Sequence, residues 1–132
     1  PRTAFVADFI GVSNLIAGRA SPIGDGVAAF KVNNDFTVHV TTNGLDLRDA
    51  HKLLIRPEKV RIARETPAAS AGNVLSCTIQ HVVYMGSIVR YYVDSGGIDF
   101  VCDQVNLGSN ELGIGDRAYL SWLPGDGTLL PA

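Results

Sequence analysis

The sequence predicts an all-β fold, a small barrel or sandwich of short antiparallel strands with one short helix near the beginning. Apolar and polar residues alternate in many short runs, which is the pattern of strands that bury one face. Clusters of glycine, proline, asparagine and aspartate separate these runs roughly every ten residues, as in small barrels and sandwiches. The 132 residues are 46% hydrophobic, which is enough to build a core in a domain of this size.

The first part of the chain predicts a helix, a strand and a hairpin. Residues 5–11 carry apolar side chains at helical spacing and end at a glycine. Such a short helix must dock on another element, because so few turns are unstable alone in water. Residues 14–19 are expected to form a strand. The alternating runs 27–32 and 36–41 flank a tight-turn sequence, Asn33-Asn34-Asp35, so we expect them to pair as a hairpin.

The second part predicts longer strands. Residues 74–85 alternate regularly, except that His81 interrupts an otherwise apolar face. The run breaks at Gly86-Ser87, so we expect a bend or bulge there and treat Gly86 as a structural residue. Trp122 is expected on the buried side of a late strand, because it alternates with polar residues. The remaining strands are expected at 88–94, 98–103, 117–123 and 128–130.

Composition suggests a division into two β subdomains. Residues 64–72 contain Pro67, several alanines and a glycine, and this is the best candidate for a linker. The predicted subdomains are therefore 1–63 and 73–132, and the second of them is expected to be a barrel. Strands may be exchanged between the two, because barrels often combine strands that are distant in sequence.

A charged corner interrupts the strand pattern near the middle of the chain. The apolar run that ends at Ile55 is followed by Arg56, Pro57 and Glu58, and alternation resumes from Val60. Proline suits a strand end or a turn, because its φ is fixed and it has no N–H to donate. Two roles are open for the corner. The charged pair either forms a local surface ion pair or presents both groups to a partner surface.

Few residues suggest catalysis or a bound cofactor. The net charge is −2 and the basic residues are scattered, so charge does not predict a nucleic-acid partner. The stretch Gly113-Ile114-Gly115-Asp116 does not lie between a strand and a helix, and no phosphate-loop sequence occurs. The three histidines have no neighbouring cluster of carboxylates or cysteines, so no metal site is predicted. Cys77 and Cys102 lie in apolar alternating runs and are expected to be buried thiols.

Several motifs, taken in order, resemble the C-terminal region of the ATP-binding subunits of ABC importers. They are the Phe-Val-Ala-Asp-Phe-Ile-Gly opening at 5–11, the Arg-Pro-Glu corner at 56–58, the strand that ends at Met85-Gly86, and the late stretch from Gly115-Asp116 to Trp122. The polyamine and ferric-iron branches look most similar. This resemblance implies a TOBE domain, built from barrels of the oligonucleotide-binding (OB) type. It also implies that Gly115 and Asp116 are structural residues.

The resemblance implies a non-catalytic domain for regulation and dimerisation. ATP and Mg²⁺ would bind to an N-terminal domain that is missing from this sequence, so no cofactor is expected here. The implied partners are that ATPase domain, a second copy of the subunit, and the membrane subunits of the transporter. The implied location is the cytoplasmic face of the cell membrane, reached through the transporter complex. Arg56, Pro57 and Glu58 are the candidates for the interface.

Two other functions remain open at this point. Relatives of the same barrel bind molybdate-type oxyanions, so a small-oxyanion sensor is the main alternative. OB barrels also bind single-stranded nucleic acid by stacking bases on aromatic side chains over a basic groove. Tyr84, Tyr91, Tyr92 and Phe100 could form such a platform, although core and cross-strand packing explains them more simply.

Overall fold

A computed structural model describes residues 13–32, 36–108 and 111–131, and this part of the chain is all-β, as predicted. It contains eleven strands in three sheets, together with four single-turn 3-10 helices, Leu47–Asp49, Pro57–Lys59, Ala69–Ala71 and Pro124–Asp126. The strands are β1 (Asn14–Ala17), β2 (Arg19–Gly24), β3 (Val27–Val32), β4 (Phe36–Thr41), β5 (Lys52–Ile55), β6 (Arg61–Ala63), β7 (Asn73–Tyr84), β8 (Ile88–Ser95), β9 (Ile98–Val105), β10 (Arg117–Trp122) and β11 (Gly127–Leu130). The helix predicted at 5–11 lies outside the described residues.

The chain divides into two compact units whose bounds differ from the predicted subdomains 1–63 and 73–132. The first unit runs to Arg56 and resumes at Leu123, and the second runs from Pro57 to Trp122. Long-range pairing is the physical reason for the difference. Strand β6 pairs with β10, and the last strand, β11, pairs with β5. The predicted linker, 64–72, lies entirely within the second unit and includes a single 3-10 turn.

The first unit consists of two antiparallel three-stranded sheets, β1-β5-β11 and β2-β3-β4. The predicted hairpin is confirmed, since β3 pairs with β4 from Val27–Thr41 to Val32–Phe36. Gly18 separates β1 from β2, where a Cβ atom would meet the carbonyl oxygen of Lys31 and would lie 2.6 Å from the ring of Phe30. A residue without a side chain is therefore needed where the chain passes from one sheet to the other.

The second unit is one antiparallel sheet in the order β6-β10-β7-β8-β9. Its two edge strands, β6 and β9, contact each other, so the sheet curls towards a barrel. Two side chains of β9 stabilise this curvature by bonding to the residue that precedes β6. Cys102 Sγ and Gln104 Nε2 donate hydrogen bonds to the Val60 carbonyl oxygen, at 2.9 and 3.0 Å. The interior is filled by fully buried side chains, the largest being Trp122, Tyr91, Phe100, Ile79, Leu120 and Val60.

The long strand β7 contains a bulge that the sequence pattern did not reveal. Ile79 pairs with Val93 but His81 pairs with Tyr92, so Gln80 is an extra residue on β7. One extra residue reverses the faces of all later residues. His81 therefore lies on the outer face beside Tyr92 and does not interrupt a buried one. The regular alternation expected over residues 74–85, which would put Val83 on the same face as Cys77 and Ile79, is therefore wrong.

Candidate functional site

The Arg-Pro-Glu corner lies where the chain leaves β5. Arg56 is exposed and ends the first unit, whereas Pro57 is buried and begins the 3-10 turn Pro57–Lys59 of the second unit. The Val60 amide donates a 3.3 Å hydrogen bond to the Pro57 carbonyl oxygen and closes this turn. Glu58 is exposed on it. The corner is therefore a fixed helical turn with charged side chains at the surface, and its interface role stays a prediction.

A cleft of about 480 Å³ opens in the second unit, between the region of β6 and the end of β9. This volume is within the range of small-molecule sites. Of the three corner residues, Glu58 alone lines it. The cleft residues are Glu58, Arg61, Ile62, Ala63, Arg64, Tyr91, Asp103, Gln104, Val105, Leu107, Glu111 and Leu112.

The charges in the cleft are mixed. Arg64 donates a 3.1 Å hydrogen bond to the carbonyl oxygen of Glu111, and its guanidinium lies 3.7 Å from the Asp116 carboxylate. Arg61 contributes a second guanidinium, but Glu58 and Glu111 add carboxylates to the same lining. Because both guanidinium and carboxylate groups line the cleft, it has no uniformly positive field that would attract an anion.

An ion pair that sequence reasoning missed lies on the outer face of the same sheet. Arg90 Nε and Nη2 donate to Asp103 Oδ1 and Oδ2 at 2.8 and 2.9 Å, which is the two-point geometry of a strong charge-assisted contact. The two side chains are only 18% and 9% exposed. Hydrogen bonding to the Asp103 carboxylate raises the pKa of Arg90, and Tyr92 contributes less to the same effect. The turn Ser95-Gly96-Gly97 could have revealed the pair, because it fixes the register that sets residue 90 opposite residue 103.

Apolar side chains surround this ion pair on the outer face. Val83 lies opposite Arg90 across the strand pair, and Ile88 lies opposite Val105. Tyr92 lies in the next row towards the other end of β8, where its ring makes an edge-on contact with His81 at 6.5 Å between centroids. Val83, Ile88, Tyr92 and Val105 are all exposed.

Gly86 occupies the turn between β7 and β8. It has φ +78, a conformation that glycine adopts freely and branched residues avoid. Its carbonyl oxygen accepts a 2.9 Å hydrogen bond from Asn106 Nδ2, which holds the turn against the residue that follows β9.

Gly115, Asp116 and Trp122 lie at the ends of β10. The Gly115 amide donates to the Ile79 carbonyl oxygen at 2.8 Å, and the Asp116 carbonyl oxygen accepts from the Ile79 amide at 2.9 Å, so this segment extends the pairing of β10 with β7 as far as the bulge. Trp122 is fully buried and packs on Phe100, with 5.9 Å between ring centroids. The structure does not gather these residues and the corner into one site.

The second unit contains two buried thiols. Cys77 and Cys102 are both free and buried, as predicted. Burial raises the pKa of the Cys77 thiol to about 11 and also raises that of Cys102. Within the described ranges, no three His, Cys, Asp or Glu side chains are grouped to hold a metal ion. No helix in the part of the chain described is long and apolar enough to cross a membrane.

The curled five-stranded antiparallel sheet places the protein among small β-barrel domains of the OB type. The chain belongs to the TOBE domain family, which it matches over residues 53–130. The family expected from the sequence motifs is thus confirmed.

Curated relatives of the chain are import ATP-binding proteins. It is 35% identical to the spermidine/putrescine import ATP-binding protein PotA of Thermobifida fusca, over 99% of this chain and 35% of that protein. The protein of the same name from Frankia alni is 34% identical, over 99% of this chain and 31% of its own length. The Fe(3+) ions import ATP-binding protein FbpC of Photorhabdus laumondii is 30% identical, over 94% and 32% respectively. The chain spans about a third of the length of these relatives.

A solved structure shares the fold. The cytoplasmic molybdate-binding protein ModG, with molybdate bound, has a TM-score of 0.71 and covers 91% of this chain and 95% of its own. The two sequences are only 13% identical, so the likeness is one of fold alone. It confirms the prediction of an OB-type fold.

Proposed function

We propose that this chain is a non-catalytic regulatory and dimerisation domain of the ATP-binding subunit of an ABC importer, with a polyamine or ferric iron as the solute. The observation that carries the proposal is how the relatives align. Nearly the whole chain aligns with import ATP-binding proteins, yet it accounts for only about a third of each of them. The chain therefore corresponds to one part of such subunits, and the family match identifies that part as a TOBE domain.

The chemistry of the importer would reside outside this domain. ATP and Mg²⁺ would bind to the ATPase domain of the subunit, and no step of ATP hydrolysis is assigned to a residue of this chain. The domain would lie on the cytoplasmic face of the membrane, held there by the importer complex. Its partners would be the ATPase domain, a second copy of the subunit and, through them, the membrane subunits.

The corner supports a role in contacts with those partners. Pro57 is buried in a closed turn, so the backbone that carries Glu58 is held in one conformation. A guanidinium at the surface offers a planar pair of donors to a carboxylate on another protein. Ordering of this segment on binding would cost little, because the turn is already formed.

A chimeric importer tests the proposal. Residues 1–132 replace the segment of the Thermobifida fusca relative that they match, and spermidine uptake is measured in cells that depend on that importer. We expect the chimera to support spermidine uptake, because the alignment covers 99% of this chain. A chimeric subunit that folds and reaches the membrane but supports no uptake would overturn the proposal. A chimera with Arg56→Ala then tests the corner, for which we expect altered uptake.

Binding of a small oxyanion is the second candidate function. Arg61 and Arg64 in the cleft favour it, because guanidinium groups pair well with oxyanions. The carboxylates of Glu58 and Glu111 in the same lining oppose it. Titration with molybdate tests this function. A Kd below about 10 μM corresponds to a binding free energy of about 7 kcal/mol, which is large for a cleft with no net positive field, so it would favour this function.

A further inference from the structure

We infer that the cleft between β6 and β9 binds a basic amino acid, which carries an α-carboxylate, an α-ammonium group and a cationic side chain such as that of lysine. This inference goes beyond the proposed function, which assigns protein partners to the domain, because it adds a small-molecule ligand. It depends on the charges of the cleft and not on the solute that the importer carries.

The cleft lies where the sheet curls back on itself, between its two edge strands. Small-ligand sites are common at such openings of barrels. Hydrogen bonds fix the structure on both sides of the opening. On the β9 side Gln104 donates to the Val60 carbonyl oxygen at 3.0 Å, and on the β6 side Arg64 donates to the Glu111 carbonyl oxygen at 3.1 Å. A ligand would therefore enter a cleft that is already formed, so little ordering is needed on binding.

Two charged groups of the lining are already neutralised by neighbouring side chains. Asp103 accepts two hydrogen bonds from Arg90. The guanidinium of Arg64 lies 3.7 Å from the Asp116 carboxylate, which also accepts a 2.8 Å hydrogen bond from the Gly113 amide. These groups shape the cleft and leave little charge for a ligand.

The remaining charges of the lining select the ligand. They are one guanidinium, that of Arg61, and two carboxylates, those of Glu58 and Glu111, all three on exposed residues. Within the part of the chain that the structure describes, Arg61 makes no ion pair with either carboxylate. Opposite charges that share a cleft without pairing are available to a ligand that carries both signs.

A basic amino acid matches this balance of charges. Its α-carboxylate can accept two hydrogen bonds from the Arg61 guanidinium, and its two cationic groups can each donate to one carboxylate of the cleft. A simple oxyanion would meet both carboxylates without a partner for them. A diamine would leave the guanidinium unpaired. Specificity would thus come from the charges that the wrong ligand leaves unsatisfied.

Apolar side chains in the same lining favour a ligand with an alkyl chain. Val105 is 68% exposed and Leu107 is 78% exposed, and both line the cleft. The methylene chain of a lysine-like ligand would cover part of this surface, and removal of apolar surface from water favours binding.

A chemical-shift titration of the 15N-labelled 132-residue chain tests the inference with three related ligands. They are lysine, norleucine, which lacks the side-chain ammonium group, and 1,5-diaminopentane, which lacks the carboxylate. We expect lysine to bind with a Kd between about 10 μM and 1 mM and to shift amide resonances of residues 58–64 and 103–107. Norleucine and 1,5-diaminopentane should each bind at least about tenfold more weakly, because each leaves a charge of the cleft unpaired.

Charge-removing variants test which residues bind the ligand. Arg61→Gln should weaken lysine binding at least about tenfold without weakening that of 1,5-diaminopentane, and Glu58→Gln should weaken both. Arg117→Gln is the matched control, since Arg117 is exposed but does not line the cleft, and it should bind lysine like the wild type.

Several results would overturn the inference. One is a spectrum that does not change with lysine at about 10 mM, and another is binding of norleucine and 1,5-diaminopentane as tight as that of lysine. Tighter binding of molybdate than of lysine would also overturn it and would assign the cleft to oxyanions. These ligand titrations of the wild type remain decisive if a variant fails to fold. They are also independent of the proposed function, because the chimeric importer is scored by spermidine uptake.

Discussion

Removing one partner of the Arg90–Asp103 pair is expected to destabilise the domain far more than removing both. Two hydrogen bonds of 2.8 and 2.9 Å join the side chains, which are only 18% and 9% exposed. Asp103→Leu leaves a guanidinium without its acceptors where little water reaches it, and Arg90→Met leaves a carboxylate in the same position.

The magnitude follows from the contacts that are lost. Hydrogen bonds to charged groups contribute about 1.5–3 kcal/mol each, and a charge left unpaired in a buried position costs about 3–5 kcal/mol. Both side chains are partly exposed, so water can partly solvate the charge that remains and reduce this cost. Each single substitution should therefore lower the free energy of unfolding by about 2–4 kcal/mol. The double substitution removes both charges and adds apolar contacts beside Val83, so it should stay within about 1 kcal/mol of the wild type.

The assay is denaturant unfolding of the wild type, both single variants and the double variant, all at the same low micromolar protein concentration. The account predicts a coupling energy of at least about 3 kcal/mol between the two positions. Single substitutions that each cost less than about 0.5 kcal/mol would contradict it, because they would show an ordinary surface ion pair. A double variant as unstable as the sum of the singles would also contradict it.

Three further outcomes are expected. Gly86→Val should lower the free energy of unfolding by about 1–3 kcal/mol, because residue 86 has φ +78. Gly86→Asn should cost less, because asparagine tolerates a positive φ. Equal thermal unfolding midpoints for the two variants would contradict this prediction. The pKa of the Cys77 thiol is raised by burial to about 11, so the folded state binds a proton that the unfolded state loses above about pH 9. The Cys77 thiol alone should therefore make stability fall by about 1.4 kcal/mol per pH unit between pH 9 and 11. In denaturant titrations Cys77→Ala should remove that contribution and leave the one from the Cys102 thiol, whose pKa is also raised. Calorimetry of this chain with Mg-ATP should show no binding, and a micromolar Kd would contradict the assignment of ATP to another domain.

Local patterns explain which parts of the fold could be predicted from the sequence. The β3–β4 hairpin and the β8–β9 hairpin follow from alternating runs that flank short turn sequences, so neighbouring residues contain all the information they need. Pairing of β11 with β5 and of β10 with β6 joins residues far apart in sequence, and no local pattern encodes it. That is why composition placed the subdomain boundary at 64–72, away from the bounds of the compact units.

The bulge and the ion pair show a second limit. An alternating pattern continues through Gln80 without any glycine or proline, so the extra residue becomes visible only when β7 is paired with β8. Without the bulge, regular alternation puts His81 on an apolar face. The sequence motifs did indicate the corner and the family, because these depend on short stretches in a fixed order.

ATP turnover by the Thermobifida fusca relative tests the central claim most directly. It is measured in the assembled importer with the matched segment intact, deleted, or replaced by residues 1–132 of this chain. The account predicts that deletion leaves ATP binding intact but changes how turnover responds to transport, and that this chain restores the response. The account would be contradicted if deletion abolished ATP binding in a subunit that still folds. It would also be contradicted if the replacement folded but did not restore the response of ATP turnover to transport.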